Sequence, residues 1–336
     1  MNIEIITSSN AKLKETGFGS PLACNDVLTA LKLTGHAVIV TVCQTLADLQ
    51  AVLVRKPDLV VLAAKYMPVA DESDVWFSEY FENNNITFSG SGRETLKFDS
   101  DKVSAKNHLA NLGIKTAKHF TAIPEQHQLE ADLPFSFPLF LKPMDAANGN
   151  GIDDDSFVEN FSEFKAKVLS LYQIYQQPVL VEEYLAGREF TVAVIKSGSG
   201  HVRISAIEII PKVSTGGLRI LGAVAKISDS ELLKAVTHQE LDAVKLLAGA
   251  AFKGLGVRGF GRIDVKMDAL GECYFMEANL LPGMNNKTSY FPRACKIANQ
   301  MEYGEVIRGM LDESLERVYI NQELKRIFMQ DILSEV

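Results

Sequence analysis

The sequence predicts an α/β protein of more than one domain, beginning with a parallel sheet that has helices on both faces. Three observations predict it. The chain has 336 residues, beyond the ~250–300 at which a single hydrophobic core stops growing. Over residues 1–93, apolar runs of strand length alternate with segments of helical spacing, the pattern of βαβ crossovers. Farther on, residues 259–289 read as a β-hairpin with its acidic side chains on one face, leading straight into a Pro-Gly turn.

Taken in order, residues 3–7 are apolar and β-branched, 22–33 have helical spacing, 37–42 read as a buried strand, 46–54 as a helix and 59–63 as a strand. A dinucleotide site needs G-x-G-x-x-G after the first strand; Thr7-Ser8-Ser9-Asn10 stands there instead, which excludes it. Ser89-Gly90-Ser91-Gly92 breaks the alternation, and one charged helix is expected over 94–112. A linker at 121–134 leads to a short strand at 137–143, a glycine-rich turn at 146–151 and a helix at 161–175. Strands follow at 178–185, 189–195 and 202–210, then a loop near Gly216-Gly217, a helix over 229–252, the hairpin, and an amphipathic helical tail over 301–336.

Composition narrows the function. Apolar residues make up 47% and charged residues 23%, an ordinary globular balance. A net charge of −8 argues against a nucleic-acid partner. No run reaches the ~18 apolar residues of a membrane span, and Met1-Asn2-Ile3-Glu4 lacks the basic start of a signal peptide, so a cytoplasmic protein without a membrane partner is expected. Cys24, Cys43, Cys273 and Cys295 have no C-x-x-C spacing and read as core thiols. The histidines have no metal-ligand spacing and no G-x-S-x-G accompanies them, so a hydrolase triad is not expected.

The hairpin carries most of the chemistry. With strands at 260–267 and 272–279, pairing Met267 with Glu272 sets Asp264 opposite Phe275 and Arg262 opposite Glu277. Side chains alternate with period two, so Arg262, Asp264, Glu277 and Asn279 share a face. Two carboxylates and an amide oxygen make a hard-oxygen site for Mg²⁺, and the arginine suits a phosphate. Charged hairpins usually just face water, so the reading rests on its company. Lys142 ends a strand before a turn containing Gly149 and Gly151, where an ammonium and backbone N–H groups can approach nucleotide phosphates; a solvated lysine is the blander reading. Glu182 and Glu189 flank a turn and can accept from an adenine amino group or ribose hydroxyls, though acidic strand ends are mostly just solvated. The Gly283 N–H can steady an oxyanion, or Pro282-Gly283 is an ordinary turn. Lys226 is a lid cation or an exposed lysine. No G-x-x-x-x-G-K-[ST] occurs, which disfavours a P-loop enzyme.

In this order, these residues resemble the ATP-grasp ligases, and among them the D-alanine–D-alanine ligases. The resemblance rests on Thr87-Phe88-Ser89-Gly90-Ser91-Gly92, Asp101-Lys102, Leu141-Lys142-Pro143, the run VEEYLAGREFT at 181–191, Gly261-Arg262-Ile263-Asp264, Glu277-Ala278-Asn279 and Pro282-Gly283-Met284. It implies a three-domain ATP-grasp fold: a Rossmann-like N-terminal domain with a parallel sheet at 1–93, a central lid domain at 94–182, and a C-terminal catalytic domain with a helical tail at 183–336. It also implies that Lys102, Lys142, Asn148 and Gly149 hold the ATP phosphates, that Glu182, Glu183 and Leu185 meet adenine, and that Glu189 meets the ribose. Asp264, Glu277 and Asn279 would hold two Mg²⁺ ions, with Mn²⁺ as a substitute; Arg262, Gly283, Lys226 and an N-terminal glutamate aligned at Glu15 would be catalytic.

The chain departs from that family at the substrate. The family's Gly-Ser-Ser lid is Ala147-Asn148-Gly149 here, and its Lys-Tyr pair is Lys226-Ile227, without the hydroxyl. Its histidine after the third strand is replaced near Lys65-Tyr66, and its Ser-Leu pair reads Thr288-Ser289. The expected activity is ATP-dependent, ADP-forming ligation of a small amino acid carboxylate to an amine through an acyl phosphate, with Lys65, Thr288 and Ser289 at substrates other than two D-alanines. The alternatives are a D-alanine–D-alanine ligase of peptidoglycan synthesis, a kinase that stops at the phosphorylated product, and a non-catalytic nucleotide-binding module. The family also implies a homodimer through the N-terminal domain.

Overall fold

The computed structural model describes residues 1–8, 18–69, 73–144, 149–214, 217, 219–222, 230–236 and 238–334. The chain opens as expected on a parallel sheet of Asn2–Thr7, Ala37–Val42 and Leu59–Leu62, with Asn2–Thr7 in the centre. Its crossover helices are Pro21–Leu33, capped by the Ser20 hydroxyl accepting from the Ala23 N–H, and Leu46–Arg55, which begins with a Thr45/Asp48 capping box. Ala37–Val42 is not the buried strand expected: it lies at the sheet edge, where Ile39, Val40 and Val42 are exposed and only Val38 is buried. A β-branched run encodes a strand but not its rank in the sheet.

The expected helix over 94–112 is two helices, Arg93–Ser100 and Lys102–Asn111. Asp101 leaves helical geometry between them, and its carboxylate accepts from the Ser104 N–H at 2.9 Å as the cap of the second. The expected linker at 121–134 opens instead on a strand, His119–Ala122, and contains a short 3₁₀ turn at Glu130–Asp132. The helix expected over 229–252 starts only at His238, after an edge strand, Leu232–Ala235.

A four-stranded antiparallel sheet runs in the order His119–Ala122, Val179–Glu183, Leu139–Pro143, Phe157–Val158. The helix Phe161–Tyr175 covers it, and Leu141, Val168, Leu171 and Val181 are part of a core of its own. A five-stranded antiparallel sheet runs Leu232–Ala235, Val202–Ile210, Glu189–Lys196, Phe260–Met267, Cys273–Asn279. The helices His238–Gly254, Tyr290–Asn299 and Tyr303–Ser334 pack around this sheet. Its core is continuous with that of the parallel sheet: Ile5, Leu62, Phe190, Phe260 and Leu311 belong to one cluster, as do Leu96, Ala105 and Leu109 of the broken helix pair. Among the described residues no helix is long and apolar enough to cross a membrane. All four cysteines are free and buried, and burial pushes Cys24 and Cys295 up to about 11 and Cys43 up to about 12, which suits core filling rather than nucleophilic work.

Candidate functional site: a carboxylate hairpin facing buried lysines

The hairpin forms, but in a different register from the one expected. Met267 pairs with Cys273 and Val265 with Phe275; a bulge then inserts Met276, so that Asp264 faces Glu277 and Arg262 faces Asn279. The four polar side chains share a face because of that extra residue, not because of uniform alternation. Phe275, expected opposite Asp264, instead turns into the core and is fully buried. Its backbone is committed elsewhere: the Phe275 N–H donates to the Lys115 carbonyl at 2.9 Å, and its carbonyl accepts from Lys106 Nζ at 3.2 Å. These outside partners hold the strand where it leaves its regular ladder.

Arg262 grips Asp264 in a two-point fork of 3.0 and 2.9 Å, Thr191 Oγ1 donates to the same carboxylate at 2.7 Å, and Asn279 Nδ2 at 3.3 Å. Among the described residues no three His, Cys, Asp or Glu side chains gather as a metal site. The donor set here is two carboxylates and one amide, all oxygen donors, which fits a hard cation such as Mg²⁺.

Asp264 and Glu277 line a cleft between the two antiparallel sheets, together with Lys102, Lys142, Gly149 and Glu189. Gly149, at φ +76°, makes the turn that a side chain would strain. A buried charge triad reaches into the cleft wall: Glu182 is 2.7 Å from Lys106 on one side and 2.7 Å from Lys142 on the other. Burial works against charge on all three groups. For Glu182 the two lysines prevail and hold the carboxyl down at about 2. Lys142 is held above its ordinary value because Glu182, Glu277 and Glu189 outweigh its burial, whereas burial leaves Lys106 below its own. Two ammonium groups and one carboxylate leave an excess positive charge, which favours an anion in the cleft. Lys102, 3.9 Å from Glu277, adds a further cation at the carboxylate end.

Sequence reasoning missed Lys106, although Lys102 and Lys106 are four apart and therefore share a helix face. It also missed Tyr290, which lines the cleft beneath the Arg262 guanidinium, 5.6 Å from the ring centre, and donates its hydroxyl to the buried Glu231. Glu183, Leu185 and Glu189 all reach the cleft, with Glu183 accepting from the Lys118 N–H and Glu189 paired to Lys266 at 3.2 Å.

The substrate positions differ from expectation. Lys65 is sealed from solvent against Asp99 and Ser100, each at 3.0 Å, and offers no ammonium to a substrate carboxylate. The Thr288 hydroxyl donates to Asn285 Oδ1 at 2.9 Å, and Ser289 Oγ accepts from the Asn285 N–H at 2.9 Å. Ser289 Oγ is also packed so close to Gly283 that a Cβ there would meet it at 2.8 Å. Glu15, Asn148 and Lys226 lie outside the described residues.

A parallel sheet followed by two antiparallel sheets that enclose lysines on one side and carboxylates on the other is the ATP-grasp arrangement, the class of ATP-dependent, ADP-forming ligases. A family profile described as "D-ala D-ala ligase C-terminus" matches residues 109–312, more than half of the chain. The chain belongs to the D-alanine–D-alanine ligase family. It is 28% identical over 240 residues to D-alanine–D-alanine ligase from Stutzerimonas stutzeri, covering 69% of this chain and 70% of that protein. It is 27% identical over 329 residues to the Gloeobacter violaceus ligase, covering 94% and 100%. Among solved structures, the Bacillus anthracis D-alanine–D-alanine ligase complexed with ATP superposes with a TM-score of 0.71 at 20% identity, covering 96% of this chain and 99% of that one. The VanG D-Ala:D-Ser ligase of Enterococcus faecalis superposes at 0.69 and 18%, covering 93% and 99%. The family uses ATP and divalent metal ions and acts on small molecules.

Proposed function

We propose that the protein joins the carboxylate of one small amino acid to the amine of a second through an acyl phosphate. The carrying observation is the facing of two unlike charge sets across one cleft: the net-positive Lys106–Glu182–Lys142 triad and the Asp264–Glu277–Asn279 face. In this reading Lys102, Lys142 and Gly149 receive the ATP phosphates, Glu183 and Leu185 border the base, and Glu189 meets the ribose. Glu182 acts by holding its two lysines charged and in place. Asn148, Lys226 and Glu15 keep the roles the resemblance implies. Asp264, Glu277 and Asn279 would hold two Mg²⁺ ions, replaceable by Mn²⁺. Bound there, the ions would supply charge neutralisation on the transferring phosphoryl group. Arg262 and the Gly283 N–H would steady the oxyanion as the amine attacks, and phosphate then leaves.

The domains are taken as 1–93, 94–182 and 183–336, in a cytoplasmic homodimer. The relatives named above join D-alanine to D-alanine or pair it with D-serine. Thr288 and Ser289 bond to Asn285 here, and Lys65 is buried, so we assign substrates other than two D-alanines; Thr288 and Ser289 act on them through the loop they brace. ADP release measured over a panel of D- and L-amino acids tests this. Stimulation confined to D-alanine restores the cell-wall activity, a stable phosphorylated product indicates a kinase, and ATP binding without ADP from any pair indicates a nucleotide-binding module.

A further inference from the structure

The stretch from Leu280 to Asn286 joins the carboxylate strand to the Gly283 turn and on to Ser289, and it is tied down at both ends by carboxylates from the N-terminal part of the chain. Before the turn, Asp99 Oδ2 accepts the N–H groups of Leu280 at 2.6 Å and Leu281 at 3.3 Å. After it, Asp26 Oδ2 accepts the Asn286 N–H at 3.0 Å and Asn285 Nδ2 at 3.1 Å. Pro282 and Gly283 lie between the two anchors. Asp99 occupies the last turn of the helix Arg93–Ser100, the negative end of its dipole, where a carboxylate is disfavoured. What offsets this is Lys65, just past the third parallel strand, fully buried with Nζ 3.0 Å from Asp99 Oδ1 and 3.0 Å from Ser100 Oγ. Asp26 projects from the helix Pro21–Leu33. The two anchors thus come from separate elements, and both are spent on backbone or amide donors of one short segment.

We propose that Asp26 and the Lys65–Asp99 pair form a two-point clamp that fixes the direction of the Gly283 N–H. They are positioning residues, and they make the oxyanion donor of the C-terminal sheet depend on the N-terminal part of the chain. A buried lysine–carboxylate pair is costly to desolvate and is poor evidence of stability alone. Here its geometry goes into holding two successive amides beside the reacting centre. Losing one anchor frees the turn by a fraction of an ångström without touching the nucleotide, and such displacements cost rate rather than ATP affinity.

The kinetic consequence rests on the ligase reading above; the structural one does not. Asp26→Ala removes one anchor. Asp99→Asn weakens the other, and the pair replaced together as Lys65→Met with Asp99→Leu deletes it without leaving a buried charge. Hydrogen exchange in the full-length, ligand-free protein should rise about tenfold or more at Leu280 and Leu281 in the Asp99 variants, and at Asn286 in Asp26→Ala. With the amino acid that gives the fastest ADP release in the panel, kcat should fall about 10- to 100-fold at unchanged KM for ATP. Combining Asp26→Ala with Asp99→Asn should cost less than the product of the two losses, since both act on one turn. Unchanged exchange at these amides in folded variants overturns the clamp, as does a loss that appears in the KM for ATP with kcat intact. If the wild type turns over no amino acid pair, the ligase reading falls and exchange alone decides the clamp.

Discussion

Asp264 stands directly opposite Glu277, immediately beyond the bulge at which the hairpin changes register. The two carboxylates are brought together by an irregularity, and that sets what their replacement should do. Asp264→Asn and Glu277→Gln each remove one negative charge from the cleft face while keeping the side chain's size. Each should lower ADP release by about two orders of magnitude, the usual cost of losing one preorganised charge-stabilising group, and shift the Mg²⁺ dependence to higher concentration. The melting temperature without ligand should barely move in Glu277→Gln, whereas Asp264→Asn also takes the charge away from the buried Arg262 fork and should lower it. Near-normal turnover in both variants would remove the metal assignment.

Lys106 offers a test of the buried triad. Lys106→Met leaves Glu182 with one lysine instead of two and removes the donor to the Phe275 carbonyl. Breaking a buried charged pair by removing one partner costs about 3–5 kcal/mol. Chemical denaturation should report a loss in that range, and calorimetry should report weaker ATP binding because the excess positive charge is gone. A variant as stable as the wild type, with unchanged ATP affinity, would contradict the triad's role.

The triad also sets a pH dependence. Glu182 sits at about 2 in the folded protein, below its ordinary 4.5, so as the pH falls the unfolded chain takes up this proton first. The stability contributed by the charged carboxylate is complete above about pH 4.5 and is lost between there and about pH 2. The gap in melting temperature between the wild type and Glu182→Gln should therefore be wide at neutral pH and narrow at about pH 3. A gap that ignores pH would mean that Glu182 acts by shape alone.

Gly283 tests the turn by steric means. A Cβ at this position would come within 2.8 Å of Ser289 Oγ. Gly283→Ala keeps the N–H but displaces it, and kcat should fall by about tenfold or more. Adding Ser289→Ala opens space and should recover part of that loss, although it also deprives the Asn285 N–H of its acceptor. No recovery would point to backbone conformation rather than crowding.

The chemistry of the hairpin was legible because residue type and spacing pair Arg262 with Asp264 on one strand and Glu277 with Asn279 on the other. Its register was not. The bulge depends on Lys106 and Lys115, which reach Phe275 from a distant helix and loop, and no local pattern encodes those partners. The break at Asp101 was readable, since Asp101-x-x-Ser104 is a helix-start signature inside the expected helix. Lys65 was misplaced because an isolated lysine after a strand reads as solvated or ligand-binding; only the fold reveals Asp99 beside it. Tyr290 gave no signal, since one aromatic residue at a helix start does not announce which guanidinium it will support.

The division of the hydrophobic interior has a consequence for how the chain acquires its shape. The central sheet closes from residues 119–183 alone, with no strand from elsewhere in the chain. The larger interior must bring Ile5 to Leu311, nearly the full length of the polypeptide, before it excludes water. Long loops cost entropy that is recovered only at closure, so assembly should proceed from the middle outward. The clamp on Gly283, and the cleft wall that the five-stranded sheet supplies, would then be among the last contacts made.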